Sequence, residues 1–468
     1  MTAQQTPPGS GPGSKRSCEV DGLKAPRRYW AALALLLAIT VVVLDASMAN
    51  VALPSIARSL SIDAGQVVWV AMAYNLAVVV SLLPLSGVAE RIGFGRMYVL
   101  GMVLFMLASI AAALSTSLTS LVIARIGQAI ASSMLMGMFG GLVRNIYPMR
   151  KLAAGISVNA MTVGLMSVLG PSMGAFILEI ASWPWIFWVV IPFCIGSLAL
   201  VRFLPDVPRV TARFDVLASF LSMLVFGLAI LGLDLVVKLP WVSAACFVVV
   251  ALTGWALWRR SRAQTAPLVP VDLLRILNIR YAVGASFFSF AAQMAAFVSL
   301  PFYFQSVLNY SYSQVGMLLG AWAVGVGAMA PVAGYMSGRF SVALLCALGA
   351  GCMAIGMAAV LLLPVTASFE VLLLAMLLGG VGFGFFQTPN NRALLSGAPR
   401  HRSGASGALQ AITRVLGQGF GTALVSVAFN LTVLYGPSAA VAVSIACAVV
   451  AFGINVRRYL IPAPDSAL

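Results

Sequence analysis

The sequence predicts an all-α polytopic membrane protein with fourteen transmembrane helices, and three observations carry that prediction. First, 61% of the 468 residues are hydrophobic and 9% are charged, against about 25% charged in an ordinary soluble chain. A soluble fold of this size leaves too much surface in water to hide that apolar content, so the solvent must be lipid. Second, the apolar residues come in runs of ~20 or more, the length that crosses a bilayer. Lipid offers no partner to backbone amides, so the runs are helices, and they lack the apolar–polar alternation of a membrane barrel. Third, the basic residues fall on alternate sides of the runs.

The spans follow in order. The first covers 29–52, the second 66–88 up to Glu90-Arg91, and the third 97–115, just after Arg96. The fourth covers 118–142, ahead of Arg144, the fifth 153–178, behind Lys151, and the sixth 182–204, entered through Trp183-Pro184. Next come 214–236 and 240–258, the latter ending at Arg259-Arg260. The remaining six cover 282–307, 313–335, 341–363, 369–391, 405–430 and 437–460, the last closed by Arg457-Arg458.

Charge tests this count. With both termini cytoplasmic, 24 of the 28 basic residues lie on the inner side. Arg58 and Lys238 fall in outer loops, and Arg125 and Arg414 inside spans. That split follows the positive-inside rule; one span fewer would put the later basic loops on the wrong side. The net charge of +16 is therefore topological, and no nucleic-acid partner is expected. The expected place is the cytoplasmic (inner) membrane, crossed many times, with a monomer as the unit. Soluble enzymes and secreted disulfide scaffolds are excluded.

Residues 1–28 are Pro-, Gly- and Ser-rich and are expected to be a disordered cytoplasmic segment. The first apolar run is long enough to remain as an anchor, so no cleavable signal is expected. The six cysteines (Cys18, Cys194, Cys246, Cys346, Cys352, Cys447) include no C-x-x-C pair and read as apolar fillers. His401, the one histidine, sits in a basic loop; no metal site is expected.

An internal repeat organises the chain. Gly170 and Gly174 recur as Gly417 and Gly421, an offset of 247 residues, and Arg91 has a counterpart in Arg339 at 248. This offset carries span 2 to span 10 and span 5 to span 13. The expected layout is a six-helix bundle over 29–204, two inserted helices with linkers over 205–281, a second six-helix bundle over 282–460, and a tail over 461–468. Two such halves around a central cavity are a common transporter plan.

Asp45 lies within span 1, some seven residues from its outer end. An ionised carboxylate at depth costs ~3 kcal/mol or more, so it must face a cavity or a partner. Arg125 sits at the matching depth of span 4, about 10 Å below the surface at 1.5 Å per residue. Such a pair can be a structural lock or a protonation site tuned by its partner. Glu179, Asp234 and Glu370 fall near the outer interface, and Lys238, one turn on, is the expected partner of Asp234. Arg414 has no acid at its level. Gly164, Gly170, Pro171 and Gly174 leave one face of span 5 bare, which allows close helix approach. Tyr74, Asn75, Asn159, Gln293, Tyr303, Trp322, Phe386 and Gln387 can line a pocket or serve as interhelical glue. There is no G-x-x-x-x-G-K-[ST] loop; no cofactor is expected, and the energy source is then a proton gradient.

Several segments resemble one known family. Leu44-Asp45-Ala46-Ser47-Met48-Ala49-Asn50-Val51-Ala52-Leu53-Pro54 is similar to the first-span signature of the fourteen-span drug:proton antiporters of the major facilitator superfamily. Ser86–Arg96 resembles the loop 2–3 motif of that superfamily, Arg125-Ile126-Gly127-Gln128 its fourth-span motif, and Gly170-Pro171-Ser172-Met173-Gly174 its antiporter motif. Trp183–Phe187 and Leu300–Gln305 fit the same group, with the exporters of quaternary ammonium compounds, dyes and viologens most alike. The resemblance implies the major facilitator fold and multidrug efflux of lipophilic, monovalent cations by alternating access, not enzymatic catalysis. It makes Asp45 the proton and cation site and Arg125 its coupling partner. Glu90, Arg91, Gly93 and Arg96 become a cytoplasmic gate, and the antiporter motif a dry contact between the halves. The departures are Ser86 for Gly, Glu90 for Asp, Phe94 and Gly95 at basic positions, Gly338 for an acid, Ala175 for Gly and Val190 for Asn. The second half also lacks an intramembrane acid. A substrate exporter for a neutral or anionic metabolite, contacting Arg125 or Arg414, is the alternative.

Overall fold

The computed structural model describes residues 22–148, 151–205, 215–262, 271–397, 403–432 and 435–461. The expected disordered segment therefore lies outside the described residues up to position 21, as do His401, Cys18 and 462–468; the side chain of Glu90 is also outside them.

The described residues are helical and contain no strand. In the first half α1 (Arg27–Leu60) is followed by α2 (Ala64–Val67) and α3 (Trp69–Ile92), then α4 (Phe94–Ala113), α5 (Leu118–Ile146) and α6 (Leu152–Ile180). Two short helices, α7 (Trp185–Trp188) and α8 (Ile191–Ala199), complete it. The inserted pair is α9 (Val216–Lys238) and α10 (Pro240–Arg262). The second half is α11 (Leu277–Phe302), α12 (Tyr312–Met336), α13 (Val342–Leu362), α14 (Phe369–Ser396), α15 (Ser403–Leu431) and α16 (Gly436–Leu460). Thirteen of these passes are long and apolar enough to cross a membrane, and 165–180 of α6 is a shorter apolar stretch. With α6 the chain makes fourteen passes. The chain is thus a multi-pass membrane protein, and 22–26 and 461 lie on one face, called here the terminal face; the opposite one is the far face.

Three boundaries differ from expectation. Span 1 does not stop at 52: α1 runs to Leu60, because apolar residues continue to fall on its buried side through Ile56. Arg58 is thus in the last helical turn, not in a loop. The segment after span 2 is not a loop either. Its one-residue corner is Gly93, whose φ of 98° is open to glycine at little cost. Span 6 is broken at 189–190, where Pro192 removes the amide that would continue the ladder.

Helix contacts repeat between the halves. α1 packs against α6 and α8, α3 and α4 against α5, and α4 against α8. In the second half α11 packs against α15 and α16, α12 and α13 against α14, and α13 against α16. The repeated glycines do the same work in each: Gly170 abuts Ser47 of α1, while Gly417 and Gly421 abut the Phe287 and Ala291 carbonyls of α11. The halves meet through α6 with α12, α3 with α15, and α1 with α11.

Candidate functional site

A buried ion pair lies in the first half. Asp45 of α1 is 0% exposed and Arg125 of α5 is 1% exposed. Arg125 Nη1 donates to Asp45 Oδ2 at 2.6 Å and to Gln128 Oε1 at 2.8 Å. Gln128 Nε2 donates to Asp45 Oδ1 and to Ser109 Oγ of α4, each at 2.9 Å. Both carboxylate oxygens are therefore satisfied, one by a cation and one by a neutral amide. Burying such a pair is tolerable only because each charge is matched and hydrogen-bonded. The Arg125 Nε has no hydrogen-bond partner among the described residues.

Aromatic rings close the shell. The Arg125 guanidinium lies over the Tyr74 ring of α3 at 4.3 Å and over Phe187 of α7 at 5.8 Å. A cation over a ring face is attracted by the ring quadrupole, more so when desolvated. Tyr74 is itself fixed by a 2.8 Å bond between its hydroxyl and Ser132 Oγ. Asp45 and Arg125 come from the expected pairing, whereas the roles of Gln128, Ser109 and Phe187 were not read from the sequence. For Gln128 the signal was there: it lies three residues after Arg125, on the same helix face.

The antiporter segment packs along α1. A Cβ at Gly170 would lie 2.5 Å from Ser47 Cβ, and one at Gly174 would lie 3.2 Å from Met48 Cα. These two glycines thus face α1 of their own half. The contact with the other half is made by Ser172 of the same motif and by Ala175, just after it. Ser172 Oγ donates to the Gly316 carbonyl of α12 at 3.3 Å, and a Cβ at Gly316 would lie 2.5 Å from Ala175 Cβ. The reason is helical spacing: positions 170 and 174 share one face, while 172 points away from it. Pro171 is buried in α6, and Gly164 lies about two turns earlier in the same helix.

The segment 90–96 supports a helix junction. Arg91 Nη1 donates to the Gly87 carbonyl at 2.6 Å, in the last turn of α3. Arg96 is exposed, and Phe94 is buried against Gly141 of α5.

The expected lining residues do not form one pocket. Tyr74 belongs to the ion-pair shell. Asn75 Nδ2 donates to Thr422 Oγ1 at 3.1 Å and so joins α3 to α15. Trp322 and Phe386 are buried in the second half, where Trp322 meets Phe297 and Phe383 and presses on Gly379 and Gly380. Small glycines on α14 admit the Trp322 indole. Tyr303 is buried in a π-helical turn that follows Pro301, and Gln293, Asn159 and Gln387 are half-buried. Cys194, Cys246, Cys346, Cys352 and Cys447 are free thiols.

Bonds between the halves gather toward the far face. Arg58 Nη2 donates to Gln305 Oε1 at 2.8 Å, and the Tyr312 hydroxyl is bonded to Ser55 and receives a bond from Arg58. Among the described residues, Asn75 with Thr422 and Ser172 with Gly316 also join the halves, within the far-face portions of their helices.

Two acidic positions behave as placed and one does not. Glu179 and Glu370 are exposed at helix ends. Asp234 is 0% exposed and does not pair with Lys238: its Oδ1 accepts a hydrogen bond from Ser426 of α15. The cause is the packing of α9, which turns Asp234 toward α15 and leaves Lys238 exposed. Arg414, half-buried in α15, has no hydrogen bond or ion pair among the described residues.

Comparison with known proteins agrees with this architecture. The chain is 41% identical over 417 residues, 88% of its length and 91% of the relative's, to "Uncharacterized transporter YebQ" of Escherichia coli (strain K12). It is 28% identical to "Riboflavin transporter RibZ" of Clostridioides difficile (strain 630), covering 84% of this chain and 86% of that one. Identity to "Multidrug efflux pump LfrA" of Mycolicibacterium smegmatis is 27%, covering 87% and 82%. Among solved structures, a peptide transporter POT in complex with sulfate aligns with a TM-score of 0.70 at 15% identity, over 92% of this chain and 94% of that one. These relatives are transporters and not enzymes. Residues 35–422 match the family described as Major Facilitator Superfamily, and the chain belongs to that superfamily.

Proposed function

We propose that the protein is a proton-coupled efflux antiporter that exports lipophilic, monovalent cations by alternating access. The observation that carries this reading is the sealed Asp45–Arg125–Gln128 cluster beside the α1–α6 contact. A carboxylate already balanced by one guanidinium can give up that partner only if something replaces it. A proton does so, and Arg125 then rests over Tyr74; a substrate cation does so as well. One carboxylate balances one positive charge, which favours monovalent cargo in a low-dielectric site. The two occupants exclude each other, which is the condition for antiport.

In this reading the terminal face is cytoplasmic and the membrane is the inner membrane, since Arg259, Arg260, Arg262, Arg457 and Arg458 end helices on that side. The bonds toward the far face support a state closed there, in which the molecule takes up cargo from the cytoplasm or inner leaflet. The halves then rock about the α6–α12 and α1–α11 contacts, and a proton from outside releases the cargo. Glu90, Arg91, Gly93 and Arg96 close the cytoplasmic side in the alternate state.

The experiment is efflux of a monovalent phenanthridinium dye from proteoliposomes under an imposed pH gradient. Proton-driven movement that Asp45→Asn abolishes supports the reading; full activity of that variant overturns it.

Arg414 favours a second reading. A cation without an internal partner in the second half suits a neutral or anionic cargo, which would meet that guanidinium. Inhibition of dye efflux by anionic compounds, lost in Arg414→Gln, would select it.

A further inference from the structure

The helix α9 has no counterpart in the repeat, yet it is seated where the halves meet, packed against α3 of the first and α15 of the second. A Cβ at Gly227 would lie 3.0 Å from Val80 of α3, and one at Gly419 of α15 would lie 2.7 Å from Ile230. Toward the far face the apolar contact gives way to one polar chain. A Cβ at Gly65 of α2 would lie 3.1 Å from Asn430 Oδ1. Asn430 Nδ2 donates to the Ser426 carbonyl at 2.7 Å and to Ser426 Oγ at 3.4 Å. Ser426 Oγ donates in turn to Asp234 Oδ1. Asp234 Oδ2 is buried with no hydrogen-bond partner among the described residues.

Among the described residues no cation forms a close ion pair with Asp234; Lys238 acts on it only at a distance. On α9 the nearest charge is Lys238, which is exposed and makes no ion pair with it among the described residues. From α10, Ser243 donates to the Gly232 carbonyl, not to the carboxyl group. On α15 the charged residue is Arg414, twelve positions or about 18 Å along the helix. Tyr74 of α3 is held by Ser132 and Arg125. A buried carboxylate with one donor, one orphaned oxygen and no bonded cation is costly away from water, and a carboxylic acid in the same place costs less.

We propose that Asp234 is a second proton-binding site, and that its proton latches the inserted helix to the second half while the far face is closed. This inference rests on the alternating-access reading. When the seam between α3 and α15 parts, Asp234 leaves Ser426, meets water and Lys238, and gives its proton to the far side. Closure takes the proton back from the same side. The group is therefore a gate and not a carrier: external acid favours return to the closed state, while Asp45 carries the exchanged proton.

The test uses the full chain in lipid. Infrared difference spectra should show the carbonyl stretch of a protonated carboxylic acid that vanishes on alkalinisation, is absent in Asp234→Asn, and is displaced in Ser426→Ala. A spectrum indifferent to both substitutions overturns the proposal. In a cysteine-free background, Ala428→Cys, buried in α15, should react with an impermeant maleimide less at acidic than at alkaline external pH. Adding Asp234→Asn, which mimics the protonated group, should keep reactivity low at both; an unchanged pH response overturns the proposal. Neither readout uses transport, so a failure of the antiport reading shows separately, in the dye assay of Asp45→Asn.

Discussion

Arg125 Nη1 and Asp45 Oδ2 lie 2.6 Å apart, on helices α5 and α1, with 1% and 0% of their surfaces exposed. Removing one member strands the other. Asp45→Ala should lower stability by about 3–5 kcal/mol, the usual consequence of an uncompensated buried charge. Asp45→Ala with Arg125→Ala together should cost less than the sum of the two, as a double-mutant cycle on thermal unfolding in detergent would measure.

Asp45→Asn keeps the shape and the bond from Gln128 but cannot exchange a proton. Export driven by a pH gradient should fall to background, while membrane insertion and the amount of folded protein stay within a factor of about two. Size-exclusion chromatography and the proteoliposome assay check the two halves of this statement.

Gly170→Val should disrupt the α1–α6 contact, since its Cβ would meet Ser47 Cβ at 2.5 Å. Overpacking of this kind costs ~1–3 kcal/mol, and here it also displaces the helix that bears Asp45. Transport should be lost. Gly170→Ala with Ser47→Gly should recover part of what Gly170→Ala loses, as efflux rates of the single and double variants would show.

Tyr312 and Arg58 tie the halves at the far face. Tyr312→Phe with Arg58→Ala should shift the molecule toward the open far face. A cysteine at Ala428 should then label faster from that side than in the parent protein, and equal rates would deny these bonds a gating part.

Cargo charge separates the readings of the cavity. Monovalent lipophilic cations should be exported better than divalent ones of similar size, measured as resistance in a host stripped of its own pumps. A divalent preference would point to a further acid facing the cargo.

Apolar run length and the placement of basic residues were enough to predict fourteen passes, and the 247-residue offset located the repeat, because membrane insertion and repetition are local properties of a chain. Asp45 and Arg125 were legible for the same reason: a charge at depth stands out, and equal depth made them candidates for each other. Gln128, Ser109 and Phe187 were not assigned parts, since polar and aromatic residues in helices are common and only packing says which way each one faces. The direction of Gly170 and Gly174 toward α1, the corner at Gly93 and the packing of Trp322 against α14 depended on which helices became neighbours. Asp234 shows the limit most clearly. Its sequence neighbour Lys238 was the natural partner at helical spacing, but a side chain pairs with what the fold brings to it. The sequence by itself determined a membrane-spanning, twofold-repeated helical chain with a charge pair at matched depth. Only the tertiary structure decided that this pair is sealed among five helical segments and that a second acid is turned away from its basic neighbour into the seam between the halves, because burial and hydrogen bonding across elements far apart in sequence are set by packing.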